Sequence, residues 1–248
     1  MTGSLLVRGM IAGLIAGLLA FGFARVFGEP QVDLAIAFEE RMAAVENPNA
    51  PEEPAVVSRE TQAGIGLFTG VMTYSVAMGG VFSLVFAGLY GRASRLGPRG
   101  LAAVLGVATF IALIIVPDLK YAPNPPAVGS PETIGVRTQL FFVMIAASIF
   151  AMALAFAVAK NLKERFGAWN AAIIAGVAYV VFIAIVHKLL PTINEVPENF
   201  SAMNLYNFRL ATLGLQATIW TVISLLFGYL AERLLSQTGN YRVPAAAR

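Results

Sequence analysis

Pro117-Asp118-Leu119-Lys120-Tyr121-Ala122-Pro123-Asn124-Pro125-Pro126-Ala127-Val128-Gly129, running on to Arg137-Thr138-Gln139, is a polar stretch between two apolar runs, residues 101–116 and 140–159. Its four prolines fix φ and remove backbone donors, so neither a helix nor a central strand is expected there. Each residue before a proline is pushed toward extended geometry. The expectation is a stiff loop of one shape, held at a membrane surface. Such a loop is either a rigid connector or an entry element that holds Asp118, Lys120, Tyr121 and Asn124 in place.

The flanking runs decide the fold. The 248 residues are 58% hydrophobic and 12% charged, with a mean hydropathy of +0.74. A soluble domain carries about twice that share of charge, so the excess apolar surface has to meet lipid. Apolar runs cover about 5–27, 63–90, 101–116, 140–159, 171–186 and 213–230. A helix of about 20 residues crosses a bilayer, and the short third run is acceptable if its ends snorkel. The fold class expected is all-α integral membrane, a six-span bundle forming one transmembrane domain over 1–235. A cytoplasmic tail over 236–248 would follow. In the first run Gly9, Gly13 and Gly17 share a helix face where another helix can approach closely. That run is longer than a signal-peptide core, which favours an uncleaved span.

Charge assigns the sides. The termini and even-numbered turns hold ten Lys/Arg and two acids, Glu164 and Glu232, against seven Lys/Arg and twelve acids on the other side. Lys and Arg favour the cytoplasmic face, so both termini are expected inside the plasma membrane. The outer loops are then 28–62, 117–138 and 187–209. The first is acidic, with an amphipathic helix expected over 31–45 and a break at Asn47-Pro48-Asn49-Ala50-Pro51-Glu52-Glu53-Pro54. It reads as a solvated loop or as a cation-attracting mouth.

Gln62, Gln139 and Gln216 stand 77 residues apart, each shortly after an arginine and a threonine: Arg59 and Thr61, Arg137 and Thr138, Arg209 and Thr212. This suggests three copies of a two-span unit. Two-span repeats share one orientation, so they would be parallel and related by a pseudo-threefold axis along the membrane normal. Chance likeness between apolar segments is the alternative.

Chemistry-bearing residues are sparse. The chain has no cysteine and one histidine, His187, which excludes thiolate sites and a multi-histidine site from one copy. No acid falls mid-span, where proton or cation relays of coupled carriers usually sit. Thr69, Thr73, Ser75, Thr109, Ser148, Thr218, Thr221 and Ser224 either bond back to helix carbonyls or line a polar path. The span methionines fit packing better than soft-metal ligation. Oxygen and imidazole ligands for a divalent cation are available from Asp118, Asn124, Glu195 and His187. Arg137 and Arg209 are expected to brace loops. No phosphate-binding glycine loop, zinc-protease helix or nucleophile elbow occurs, so enzymatic or ATP-driven chemistry is not expected. The net charge of +3 fits basic cytoplasmic turns rather than nucleic-acid binding.

The run from Leu119 to Gly129 with Arg137-Thr138 resembles the signature region of the CbtA family. Glu195-Val196-Pro197 and Phe208-Arg209-Leu210-Ala211-Thr212-Leu213-Gly214 resemble its last loop. The resemblance covers nearly the whole chain. It implies a probable cobalt-transporter subunit, with Co²⁺ as substrate, no tightly bound cofactor, and a small histidine-bearing membrane partner, CbtB. The family is described with about five spans, where the runs counted above number six. Cobalt uptake with cation capture at the outer proline loops is therefore the expected function. The alternative is a non-transporting scaffold or accessory subunit. A homo-oligomer is compatible with either.

Overall fold

The computed structural model describes residues 1–46, 56–92 and 96–239, all α-, π- or 3₁₀-helical apart from short connections. The proline-rich break expected over 47–54, Arg95, and most of the expected tail lie outside the described residues. Five helical stretches among the described residues are long and apolar enough to cross a membrane: Thr2–Glu46, Arg59–Leu89, Pro98–Lys120, Pro131–Leu189 and Ala202–Gln237.

Three of these stretches contain a π-helical turn, at Ala24–Gly28, Gln62–Gly66 and Ile111–Ile115. Two of the turns explain where the sequence reading stopped its helices too early. Helix α1 (Thr2–Phe23) passes through the first into α2 (Glu29–Glu46), and α5 (Pro98–Phe110) passes through the third into α6 (Val116–Lys120). Pro30 and Pro117 stand two residues past the last residues of these turns, Gly28 and Ile115. A proline within a helix normally clashes with the carbonyl four residues back and deletes a ladder bond. Here those carbonyls, of Val26 and Leu113, lie in π turns, where the ladder is already shifted to wider rings. The helices therefore continue. Residues 28–46 are a helical extension of the first span, longer than the 31–45 expected, and Pro117 to Lys120 is helical rather than loop. The last loop is also shorter than expected. Residues 198–213 contain no proline or glycine, and α8 (Ala202–Gln237) takes in Arg209 and Thr212.

Two compact units divide the chain: the described parts of Met1–Val107 with Ala202–Arg248, and Ala108–Ser201. In the first unit α1 packs along α4 (Leu67–Leu89), which follows the short α3 (Arg59–Thr61) and its π turn. The seam of α1 is Leu5, Gly9, Ala12, Gly13, Ala16, Gly17 and Ala20, all buried. A Cβ on Gly9 or Gly13 would overlap the carbonyl oxygens of Gly79 and Ser75 respectively. Backbone meets backbone there, which gives dispersion contact along the seam where lipid supplies no hydrophobic drive. Helix α8 joins through aromatic side chains. Phe227 meets Phe86 and Phe82 edge to face, with centroids 5.0 and 5.6 Å apart. Farther along, Gly214 accommodates the Phe23 ring and Gly106 accommodates Ser224.

The second unit is built on α7 (Ile134–Leu189), whose 56 residues would extend about 84 Å if straight. They are not straight. Gly167 has φ +77° and ψ 163°, a backbone conformation that glycine alone adopts readily. The arms return on each other: Ser148 and Tyr179, 31 residues apart in sequence, share a hydrogen bond of 2.8 Å between their hydroxyls. Met144, Ala151 and Ile183 form a buried cluster with Val116 of α6. The runs 140–159 and 171–186 are thus the two arms of one hairpin, which is why six apolar runs appear as five helical stretches. Tyr179→Phe is expected to lower thermal stability by about 0.6–1.7 kcal/mol, read by a detergent melting assay. Ser148→Ala in the same background should add little, because the bond is already gone.

Candidate functional site

Polar chemistry in the second unit gathers where the loop after α6 meets the segment after α7. Tyr121 ends α6 outside helical geometry, and the prolines then hold the chain extended to a turn in which the Val128 amide donates to the Pro125 carbonyl at 3.3 Å. Ala127 and Gly129 have positive φ, +63° and +122°. Pro125 and Val128 are buried, so the loop has a small core of its own.

Its two ends are pinned to residues 191–195. Lys120 Nζ donates to Thr192 Oγ1 at 3.0 Å and the Tyr121 hydroxyl donates to the Pro191 carbonyl at 2.8 Å. At the other end the Ser130 amide donates to the Glu195 carboxylate at 2.9 Å. Arg137 Nε lies 3.5 Å from the same carboxylate oxygen, and the Glu195 side chain is only 17% exposed. The Arg137 guanidinium also fills the space beside Gly129 that a Cβ would occupy. The Thr133 hydroxyl, the Ser130 amide and the Arg137 charge together hold the Glu195 carboxyl below its ordinary value, against the opposing effect of burial.

A depressed carboxylate contributes stability that is complete above the ordinary glutamate value of 4.5 and is lost as pH falls through the depressed one. Protection of the Ser130 amide against hydrogen exchange is therefore expected to hold at neutral pH and to decline below that value. Glu195→Gln should flatten this dependence.

The candidate ligands are placed as follows. His187 Nε2 is 3.3 Å from the Val116 carbonyl oxygen. Asp118 is half-buried on α6, two residues after Val116, and Asn124 is half-buried in the loop. Glu195 is engaged by Ser130 and Arg137 as described. Among the described residues no group of three or more His, Asp and Glu side chains gathers as a metal-holding set.

The bracing residues serve local ends. Arg59 joins the carboxylates of Glu29 and Asp33, the latter at 2.9 Å, and so ties α3 to α2. Gln62 donates to the Val57 carbonyl at 3.0 Å. Thr138 bonds back to Ile134 at 2.7 Å, and Gln139 is exposed. Gln216 accepts from the Tyr74 hydroxyl at 3.5 Å, and Arg209 is half-buried on α8. Gln62, Gln139 and Gln216 follow the first residues of their helices, Arg59, Ile134 and Ala202, by 3, 5 and 14 positions. Of the span hydroxyls, Thr218 and Ser224 bond back to carbonyls of their own helix.

Four contributors were not singled out from sequence: Ser130, Thr133, Thr192 and Arg25. Arg25 Nη1 donates to the Ala63 carbonyl at 3.0 Å, linking two π turns across the helix pair. A lone arginine inside an apolar run was the available signal. Ser130, Thr133 and Thr192 carry none, since hydroxyls are ordinary in loops.

Long apolar helices joined by short polar connectors make the described residues those of an all-helical membrane protein. A family model described as "Probable cobalt transporter subunit (CbtA)" matches residues 2–232, and the chain belongs to that family. Membership makes it a transport-related membrane subunit. Comparison with curated proteins and with solved structures found no match.

Proposed function

We propose that the chain is the membrane-embedded subunit of a cobalt uptake system, taking Co²⁺ at its outer proline-bearing loops and passing it between helices. Family membership supports the cargo. The observation that carries the loop reading is the fixing of residues 120–130 against 191–195 through Glu195. A pre-ordered entry loop presents its ligands without an ordering cost at the moment of binding. Asp118, Asn124 and His187 are the proposed ligands, since Co²⁺ accepts oxygen and nitrogen donors. Glu195 joins them only by giving up Ser130 and Arg137, so its first role is to hold the loop. A small histidine-bearing partner of the CbtB kind supplies further imidazoles, and the chain performs no catalysis.

In this reading the chain crosses the plasma membrane six times, with each arm of α7 one crossing, and both termini are cytoplasmic. The arrangement as three two-helix units about an axis along the membrane normal rests on the Arg-Thr-Gln spacing. Failure of the three helix pairs to superpose by rotation removes that part and leaves the six crossings.

A non-transporting scaffold is the second reading, favoured by the lack of a gathered ligand set among the described residues. Co²⁺ flux into proteoliposomes holding the chain and its partner separates the two. Transport predicts time-dependent accumulation, reduced at least about tenfold at low Co²⁺ by Asp118→Asn or His187→Ala. Accumulation no greater than in empty vesicles selects the scaffold.

A further inference from the structure

The turn between the arms of α7 has chemistry that the loop cluster does not use. Lys160, Lys163 and Arg165 are exposed, and no carboxylate among the described residues is paired with any of them. Glu164 is the one acid between positions 160 and 170. Beside these cations stand two large aromatic side chains that the protein leaves uncovered, Phe166 at 41% and Trp169 at 78% exposure. The Arg165 guanidinium lies 5.1 Å from the Phe166 ring centroid, and Asn170 closes the turn by donating to the Phe166 carbonyl at 3.1 Å. Gly167 makes the reversal, with nothing within 4 Å of the position a Cβ would take.

A solvated charged turn would account for the cations and leave the indole unexplained. Both are accounted for by the level at which the turn sits. It joins two apolar arms, each long enough to reach across most of the hydrocarbon layer, so its residues fall at the headgroups. Aromatic rings with a polar edge settle at that depth, and unpaired lysine and arginine there attract anionic lipid.

We propose that the Lys160–Trp169 turn binds the headgroups of anionic phospholipids, with Lys160, Lys163 and Arg165 meeting the phosphate and Phe166 and Trp169 seated at the interface. The inference rests on the six-crossing reading. An acidic protein surface would satisfy the cations, but it would have to displace lipid from an indole continuous with the lipid-facing arms.

The chain has two tryptophans, so Trp220→Phe makes Trp169 the sole indole. Should that variant not fold, subtracting the emission of Trp169→Phe from that of the intact protein isolates the same signal. The protein is reconstituted in phosphatidylcholine containing equal fractions of brominated phosphatidylglycerol or brominated phosphatidylcholine, and quenching of Trp169 is measured. The expected result is stronger quenching by the phosphatidylglycerol. The preference should fall about fivefold per cation removed and vanish when Lys160, Lys163 and Arg165 are all changed to Gln. Equal quenching by the two lipids, or a preference untouched by the triple change, overturns the proposal and leaves the six crossings standing. Quenching by neither lipid overturns both.

Discussion

Gly13→Leu is expected to abolish the folded first unit, with no monodisperse protein recovered in detergent. A Cβ at Gly13 would overlap the Ser75 carbonyl oxygen and sit 2.9 Å from the Val76 Cα. Those atoms are backbone and cannot rotate away. The α1–α4 seam would have to open along its length, undoing the contacts of Gly9 and Gly17 as well. Overpacking of a tight core costs about 1–3 kcal/mol and sometimes more. Gly13→Ala should lie within that range, and the leucine beyond it. The control has the opposite sign. Gly70 and Gly88 are on α4 with nothing within 4 Å of a Cβ, so Gly→Ala there should be neutral or stabilising by up to about 1 kcal/mol. Thermal melts of these variants side by side test the seam, and a melting temperature for Gly13→Ala equal to that of Gly70→Ala would contradict it.

Gly129→Ala is expected to release the proline loop while leaving the helices intact. The substitution meets two obstacles together: φ of +122°, and a site already filled by the Arg137 guanidinium. Strained backbone of this kind costs about 1–3 kcal/mol. Moving Arg137 also takes its charge from Glu195, which then holds Ser130 less firmly. Ser130 amide exchange should accelerate roughly 10- to 100-fold, while amides in the arms of α7 keep their protection. Equal acceleration in loop and arms would mean that the cluster is no independent local unit.

Much of this architecture is legible in the residues. Composition and the apolar runs place the helices, because lipid demands a continuous apolar surface and satisfied backbone. The four-residue spacing of Gly9, Gly13 and Gly17 marks the seam in advance. Helix ends are less legible. Pro30 and Pro117 normally terminate helices, and they fail to here because π turns precede them. Periodicity in a single sequence carries no mark of a π turn. The break between the arms is legible as the polar stretch separating the runs 140–159 and 171–186, although only the positive φ identifies Gly167 as the residue that makes the reversal.

The loop cluster divides along a similar line. Lys120, Tyr121, Arg137 and Glu195 stand out as charged or aromatic groups in connectors, and they do engage one another's segments. Apart from the Arg137–Glu195 pair, their partners are backbone groups and hydroxyls, such as the Pro191 carbonyl, the Ser130 amide and Thr192. Nothing in residue type distinguishes those from their neighbours. The 77-residue spacing of the glutamines is plain in the sequence, yet their local surroundings differ from one copy to the next.

Six crossings of the bilayer, as proposed, leave the stiff, oxygen-rich connectors on one side. The chain has no cysteine, so single cysteines replacing Glu46, Asn124, Glu198 or Glu164 can each be tested in intact cells with an impermeant maleimide. Positions 46, 124 and 198 are expected to react from outside, and position 164 only after permeabilisation. Reaction of positions 46 and 124 from opposite sides would contradict this arrangement.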